Sequence, residues 1–391
     1  MVKKHELQQP PSADAIDRLR LARAEGVGPV AYRRMLTRYG SAAAALDALP
    51  VLARAGGRPA PPTVPSADDA ERELHALDRL GACIIFAGEP DYPPLLALLD
   101  DAPAALIVLG DAALLASRAI ALVGGRNASA NGQRMAESLA AELARSLVVV
   151  SGLARGIDGA AHVGALQTGR TIAAVAGGLD NPYPPEHADL QRRIAEGGAV
   201  VTEAPLGTAP QARHFPRRNR IIAGLALGVV VVEAALRSGS LITARLAQEA
   251  GRELFAVPGS PLDPRSRGAN DLIRQGAHLT ETAQDVLDNL PDHPSREGLA
   301  RVPLFARDAT PGLAEPPPTW QEPAESAADL ATARRQVVDL LGSSPTAVDD
   351  VVRRCQFSAA AVMAVLLELE LAGRIETLPG GRVALLPETG F

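Results

Sequence analysis

Aromatic side chains, cysteine and lysine are all scarce in this chain of 391 residues. Phe, Trp and Tyr together make up 3% of it, so an aromatic residue within a polar motif stands out. The two cysteines, Cys83 and Cys355, are far apart without metal-ligand spacing, which predicts small buried residues in a reducing, cytoplasmic setting. No lysine follows Lys4, but alanine is as inflated as arginine, so a coding bias explains the arginine count and only arginine clusters are informative.

Long apolar runs are absent as well. No segment approaches the roughly 20 apolar residues that a membrane helix needs, and the polar residues 1–9 lack the apolar core of a signal peptide. The net charge of −6 argues against a protein that coats nucleic acid with its whole surface, although it permits a local basic groove. The length predicts about two or three domains.

One decapeptide departs from this acidic character. Residues 211–220 contain arginines around one aromatic residue, Phe215, and no carboxylate. Guanidinium groups grip phosphates and a ring accepts a stacked base, so the segment suits a phosphodiester strand with exposed bases. A solvated turn whose arginines pair with nearby acids is the alternative that the decapeptide alone leaves open. The arginines are Arg213, Arg217, Arg218 and Arg220.

Short apolar runs alternate with helical stretches from about residue 118 onward. The runs are aliphatic and lack clean alternation, as expected of strands buried on both faces. This order predicts βαβ units and an α/β fold with a doubly wound, mostly parallel, Rossmann-like sheet. The runs are 119–123, 147–150, 171–176, 199–202, 228–232 and 254–257, and the helical stretches are 132–145, 156–166 and 241–249.

The flanking segments predict two smaller domains. Residues 14–55 are helical with a break at Gly26-Val-Gly-Pro, which is typical of a sterile-alpha-motif-like or helix-hairpin-helix unit, or of a plain helical hairpin. The tail predicts a winged helix whose third helix carries Glu368 and Glu370, so duplex reading and protein contact both stay open. The predicted domains are 1–66 (helical domain and linker), 67–290 (sheet domain), 291–330 (proline-rich linker) and 331–391 (winged helix).

Small or basic residues follow almost every predicted strand. Because the carboxyl ends of parallel strands meet at one edge, the loops converge there, and their glycines and helix N-termini offer N–H donors to anions. We therefore expect a phosphate-bearing ligand at this edge. Besides the decapeptide with its Asn219, the candidates are Gly125, Arg126, Ser129, Ser151, Gly152, Arg155, Gly156, Ser238, Gly239, Ser240, Gly268 and Asn270.

The loops do not follow the pattern of a nucleotide enzyme. The first lacks the Gly-x-Gly-x-x-Gly order, the second strand ends at Ser151 in place of a ribose-binding acid, and no P-loop or nucleophile elbow occurs. We interpret His162, one helical turn after Asp158, as a packing residue bonded to that carboxylate. Donors and cations without a nucleophile, metal cluster or acid/base pair predict binding of single-stranded nucleic acid without catalysis, cofactor or metal.

Five ordered motifs resemble those of the DNA processing protein A (DprA/Smf) family, over most of residues 14–290 and the tail at 331–386. The resemblance implies a homodimer of natural transformation that binds and protects incoming single strands, loads the RecA recombinase and meets single-strand-binding protein. It also places Arg126 and residues 215–220 in the DNA groove, although Gly125 stands where the family often has threonine. The motifs are Val123-Gly-Gly-Arg-Asn-Ala-Ser, Ser151-Gly-Leu-Ala-Arg-Gly-Ile-Asp-Gly-Ala-Ala-His, Phe215-Pro-Arg-Arg-Asn-Arg-Ile-Ile, Ser238-Gly-Ser-Leu-Ile-Thr-Ala-Arg and Val257-Pro-Gly-Ser.

Two other functions stay open on the residues alone. A phosphoribohydrolase of the lysine-decarboxylase-like group shares the superfold, but its Pro-Gly-Gly-x-Gly-Thr-x-x-Glu loop is not reproduced at residues 258–260 or 238–240. A winged-helix regulator would bind duplex DNA through the tail. Its candidate contacts are Arg353, Arg354, Arg374 and Arg382.

Overall fold

The structure is a computed structural model that describes residues 11–291, 327–378 and 380–386. Contacts divide the chain into two compact units, the first made of Met1–Arg23 and Pro65–His293 and the second of Ala24–Val64 and Pro294–Phe391. This division cuts through the helical domain predicted at 1–66. Most of the linker predicted at 291–330 lies outside the described residues.

A nine-stranded sheet forms the centre of the first unit. Its strands are β1 Ala82–Phe86, β2 Ala105–Gly110, β3 Ala119–Val123, β4 Val148–Ser151, β5 Thr171–Ala174, β6 Ala199–Thr202, β7 Gly228–Val231, β8 Glu253–Ala256 and β9 His278–Leu279. They are hydrogen-bonded in the order β1-β2-β6-β5-β4-β3-β7-β8-β9. Strands β3 to β9 are parallel, and β2 and β1 extend one side with antiparallel ladders. Chain order reverses between β3 and β7, which is where doubly wound sheets bind ligands.

Helices cover both faces of this sheet. Ala121 and Val123 of β3 pack in one apolar cluster, whereas Ile120 and Leu122 pack in another on the opposite face. Burial on both faces is why the strands show no alternation in the sequence. Along residues 11–291 the helices are α1 Ala13–Arg23, α2 Pro29–Tyr39, α3 Ala42–Ala55, α4 Ala67–Leu80, α5 Pro94–Ala97, α6 Ala130–Leu143, α7 Ile157–Thr168, α8 Ala188–Gly197, α9 His214–Leu225, α10 Ser240–Glu249, α11 Arg267–Arg274 and α12 Ala283–Asn289.

The second unit contains α2, α3 and the tail. The tail has helices α13 Ala327–Leu340, α14 Val348–Arg354 and α15 Ala359–Leu371, and strands β10 Thr346–Ala347, β11 Ile375–Leu378 and β12 Arg382–Leu385. Strand β12 pairs antiparallel with both β10 and β11. Side chains such as Val337, Val351 and Val365 form an apolar core between the helices and this small sheet, as in a winged helix.

The predicted fold class is confirmed, including each predicted sheet strand and the winged-helix outline. Two details differ from prediction. Residues 214–220 are not a loop but the first turns of α9. Cys83 is exposed on β1, which has a neighbour on one side only, whereas Cys355 is buried as expected. None of the helices in the described ranges has the length and apolar character that a membrane span requires.

Candidate nucleic-acid interface

Backbone hydrogen bonds tie the loops at the carboxyl edge of the sheet to one another. Across the switch point, the N–H of Gly125 donates to the carbonyl of Glu233 at 2.6 Å. Gly156 has a φ of +75° and packs directly on the Gly125 carbonyl, where a Cβ would overlap it. The N–H of Gly268 donates to the carbonyl of Ala234 at 2.8 Å and so attaches α11 to the same surface. These loops therefore converge, as predicted from the parallel topology.

Phe215 lies at the centre of the exposed part of this edge. The guanidinium carbon of Arg126 is 4.7 Å from its ring centroid, and that of Arg218 is 6.0 Å away. The ring of Tyr183 lies 5.7 Å from Phe215, tilted by 59°. Arg126 is exposed, and Tyr183 is 45% exposed. The loops after β3 and β5 and the start of α9 thus build one surface of guanidinium and aromatic groups, which suits phosphates and bases.

Further exposed arginines surround these rings. Arg155 is paired with Glu186, and Arg265 lies 2.8 Å from Asp263. Within the described parts of the chain, no carboxylate forms an ion pair with Arg126, Arg213 or Arg217. Their charge is therefore available to an external anion. The exposed arginines of the edge are Arg126, Arg155, Arg213, Arg217, Arg237, Arg265 and Arg267.

Arg218 has a different place from the one expected. Helix α9 carries its side chain below Phe215, where only 6% of it is exposed, and its Nη1 lies 3.9 Å from Asp158 Oδ2. The same nitrogen donates to the carbonyl of Ala174 at 3.3 Å. Burial raises the pKa of the Asp158 carboxyl, whereas Arg218 beside it lowers that pKa. Arg218 therefore stabilises the protein beneath this surface through Asp158 and Ala174. The predicted direct contact of Arg218 with a phosphate is corrected.

Arg220 and Asn219 are also turned inward by the helix. Arg220 is 8% exposed and pairs with Glu203, and it donates to the carbonyl of Asp101. Asn219 is buried. The decapeptide is thus divided by helical geometry: the side chains at 213 and 217 face solvent, whereas those at 218–220 face the protein.

The protein's own carboxylates occupy the helix N-termini that a nucleotide phosphate would use. At α6, Glu233 Oε2 accepts the N–H of Ser129 at 2.7 Å, and Ser129 Oγ accepts the N–H of Gly132 at 2.9 Å. In the first turn of α7, the Asp158 carboxylate accepts backbone N–H groups of the loops beside that helix, including that of Ala154 at 3.4 Å. A phosphate at either position would meet a buried negative charge, which disfavours a nucleotide in the crevice.

Several other predicted contact residues hold loops in place. Ser151 is fully buried and donates to the carbonyl of Leu122 at 2.6 Å. Gly152 packs against Arg218, where a Cβ would overlap the guanidinium. Asn270 accepts the N–H of Gly259 at 3.0 Å and donates to its carbonyl at 2.8 Å. Ser151 and Asn270 are therefore corrected from DNA contacts to loop supports.

The loop before α10 is exposed at Gly239 but buried at Ser240. Gly239 is exposed at the N-cap of this helix, so the positive end of α10 faces solvent. Ser240 is buried, and its Oγ lies 2.7 Å from the Oγ of Ser238. This loop follows β7 and brings the N–H donors of the α10 N-terminus and the exposed Arg237 to the edge.

His162 is not bonded to Asp158, contrary to the interpretation from spacing. Its Nδ1 lies 2.8 Å from Thr171 Oγ1, which itself donates to the carbonyl of Val149 at 2.7 Å, so the ring donates to threonine. Burial lowers the pKa of His162 to about 3, which keeps the ring neutral. Across the described ranges, no group of His, Cys, Asp and Glu side chains is arranged to hold a metal ion.

Tyr183 and the arginines at 237, 265 and 267 are candidate contacts that sequence reasoning left out. Tyr183 lies in the segment after β5, within the sequence Tyr-Pro-Pro. In a chain so poor in aromatic residues, that position was a usable signal. No sequence signal marked the three arginines, because arginine is common throughout this chain.

The four tail arginines differ in exposure. Arg353 and Arg354 are exposed on α14, and Arg353 pairs with Asp350. Arg374 and Arg382 are half-buried. The Arg374 side chain lies at the end of α3, with Nη1 3.6 Å from where a Cβ of Gly57 would be. A duplex contact by all four stays a prediction.

Comparison with known proteins gives consistent matches. Family models match for DNA recombination-mediator protein A over residues 83–291, for the DprA winged helix domain over 321–381, and for the DprA-like N-terminal HHH domain over 12–76. Protein Smf of Escherichia coli (strain K12) is 43% identical over 318 residues, which are 81% of this chain and 80% of that protein. DNA processing protein DprA of Streptococcus pneumoniae is 48% identical over 197 residues, 50% of this chain and 70% of that protein. The X-ray structure of DNA processing protein A from Streptococcus pneumoniae aligns with a TM-score of 0.61 and 36% identity, over 73% of this chain and 100% of that one.

Proposed function

Because this chain belongs to the DNA processing protein A (DprA/Smf) family, we propose that it binds single-stranded DNA at the carboxyl edge of its sheet. The observation that supports this most directly is the pair of rings Tyr183 and Phe215 beside Arg126, with Arg213 and Arg217 exposed on the same segment as Phe215. Guanidinium groups neutralise phosphates, and an exposed ring accepts an unpaired base.

The proposed binding does not depend on base sequence. A ring face stacks on any base, and guanidinium groups contact phosphates, which carry no base sequence. Asn219 and Asn270, the amides predicted nearby, are turned to the protein in this structure. A duplex hides its base faces, so we expect single strands to bind more tightly than duplex here.

We also propose that the protein binds its strand without altering it. The polar groups below the surface are committed to internal contacts: Asp158 to Arg218 and backbone N–H groups, Glu233 to the N-terminus of α6, and His162 to Thr171. These contacts also disfavour the phosphoribohydrolase alternative, because they fill the positions that a nucleotide phosphate would need.

The wider role is inferred from the family. We propose that the protein acts in the cytoplasm during natural transformation as a homodimer that protects incoming strands and loads the RecA recombinase. The family description as a recombination mediator supports this. A contact with single-strand-binding protein follows from the same role, because a recombinase can nucleate only on DNA from which single-strand-binding protein has been removed.

The experiment uses the full chain, labelled oligothymidine and RecA. Binding is followed by fluorescence anisotropy, and the oligonucleotide is then recovered to show that it is intact. Loading is followed as the lag in ATP hydrolysis by RecA on strands coated with single-strand-binding protein. The proposal predicts tight binding, intact DNA and a shortened lag. Cleaved or base-depleted DNA would refute binding without chemistry, and an unchanged lag would refute loading.

A further inference from the structure

The start of α2, in the second unit, has the features of an anion site. Helix α2 begins at Pro29 after the N-cap Gly28, which has no side chain to cap the helix. Gly26 has a φ of +78°, which forms the tight turn before it. A helix N-terminus carries a partial positive charge and N–H groups that point along the axis, so an anion is stabilised there.

A carboxylate of the same chain lies at this position. Glu370, near the end of α15, has Oε1 3.5 Å from where a Cβ of Gly28 would be. Its Oε2 is 4.0 Å from Arg34 Nη1, and only 10% of its side chain is exposed. The carbonyl of Leu371 lies 3.0 Å from where a Cβ of Gly26 would be, so the turn and the end of α15 are in close contact.

Helix α3 covers α15 further. At the end of α3, a Cβ on Gly56 would overlap the carbonyl of Glu368, so the two backbones touch. The Glu368 side chain is itself buried and paired with Arg334 of α13. Most of α15 is therefore enclosed. Its buried residues are Ala361, Val362, Val365, Leu366, Leu367, Glu368, Leu369 and Leu371.

This burial conflicts with the usual use of a winged helix. In helix-turn-helix relatives, a helix in this position enters the major groove of duplex DNA, and its side chains face the bases. Helix α15 presents apolar side chains and two carboxylates, and α2 and α3 pack over it. In this arrangement most of α15 is enclosed, and the start of α2 is half-buried beside the Glu370 carboxylate.

We propose that α2–α3 and α15 mask each other, with Glu370 in the place of a duplex-DNA phosphate at the start of α2. Duplex binding by the second unit then requires the contact between Glu370 and α2 to open. Apparent affinity scales with the open fraction, so weakening the closed state strengthens duplex binding without any new contact. This inference is independent of the single-strand surface in the first unit.

The variant that tests it is Glu370→Ala in the full chain, measured by anisotropy with a short labelled duplex. The matched control is Glu376→Ala, which removes an exposed glutamate of the same unit and the same charge. We expect Glu370→Ala to raise duplex affinity by about tenfold over the control. Affinity for oligothymidine, which the first unit binds, should be equal in the two variants.

Hydrogen exchange of the wild-type protein tests the same proposal without a substitution. With saturating duplex, amides of residues 366–371 should lose protection and the amides of residues 28, 30 and 31 should gain it. If Glu370→Ala folds, an affinity equal to that of Glu376→Ala overturns the proposal. If it does not fold, unchanged protection of residues 366–371 in the wild type overturns it. Absence of duplex binding by every variant does so as well.

Discussion

The guanidinium of Arg126 lies 4.7 Å from the centre of the Phe215 ring, although Arg126 lies in the loop after β3 and Phe215 in the first turn of α9. The ring holds the cation in place from one side and leaves its other side to solvent. A guanidinium fixed in this way loses less conformational freedom when it binds a phosphate than one on a mobile side chain. The pair therefore joins the first loop and α9 into one preorganised surface.

Two replacements of Arg126 should distinguish the contribution of its charge to DNA binding from that of its planar shape. Arg126→Ala removes one phosphate contact, so the slope of log affinity against log salt should fall by about 0.7. Arg126→Lys keeps the charge but not the planar contact with Phe215, so it should keep the slope and lose part of the affinity. Anisotropy with oligothymidine over a salt series measures both. Identical behaviour of all three proteins would remove Arg126 from the interface.

Tyr183 should contribute by stacking. We expect Tyr183→Ala to weaken oligothymidine binding by about 1–3 kcal/mol, the contribution of one stacked base, with an unchanged salt slope because no charge is lost. Tyr183→Phe preserves the ring and serves as the control. A salt slope that falls in Tyr183→Ala would mean that the ring positions a cation and does not hold a base.

Replacement of the neighbours Arg217 and Arg218 should change different properties, DNA affinity for Arg217 and the free energy of unfolding for Arg218. Arg217→Ala removes an exposed cation, so DNA affinity should fall while the free energy of unfolding stays unchanged. Arg218→Ala leaves the buried Asp158 carboxylate without its cation, which should lower the free energy of unfolding by about 3 kcal/mol. Urea denaturation measures the difference. A fully stable Arg218→Ala with weakened DNA binding would return Arg218 to the phosphate-binding residues.

His162 should make stability depend on pH. Its pKa is lowered from 6.5 to about 3 by burial, so below pH 6.5 the unfolded chain takes up a proton that the folded chain does not. Stability is therefore present above pH 6.5 and lost toward pH 3, by at most about 1.4 kcal/mol per pH unit.

Substitution of His162 should remove that dependence. We expect His162→Gln to flatten the pH dependence of the free energy of unfolding between about pH 4 and 6. His75→Gln, at an exposed histidine of α4, should leave the wild-type slope. A wild-type slope in His162→Gln would show that other groups cause the acid loss.

Local patterns were enough to predict the sheet. The aliphatic runs at β3 to β8 are short and lack alternation, which favours strands buried on both faces, and parallel topology then brings their loops to one edge. Arg126 was predicted for this reason and lies there. The helical start of α9 was missed, because Phe215-Pro in an arginine-rich segment resembles a turn.

The roles of individual arginines depended on partners distant in sequence. Arg218 is buried because Asp158 lies below it, and Arg220 because Glu203 and Asp101 lie beside it. Nothing in the decapeptide identifies those acids. The same holds for Glu370, whose place at the start of α2 joins the two ends of the chain. A charge pattern shows that a residue needs a partner, and only the fold shows which partner it has.

The most direct test of the account compares two triple variants in oligothymidine binding over a salt series. One removes Arg126, Arg213 and Arg217, and the other removes equally exposed arginines on helices elsewhere in the first unit, Arg192, Arg245 and Arg274. We predict that the first variant lowers the salt slope by about 2 and weakens binding strongly, whereas the second retains the wild-type slope. Equal slopes for the two variants would contradict a single-strand interface at this edge of the sheet.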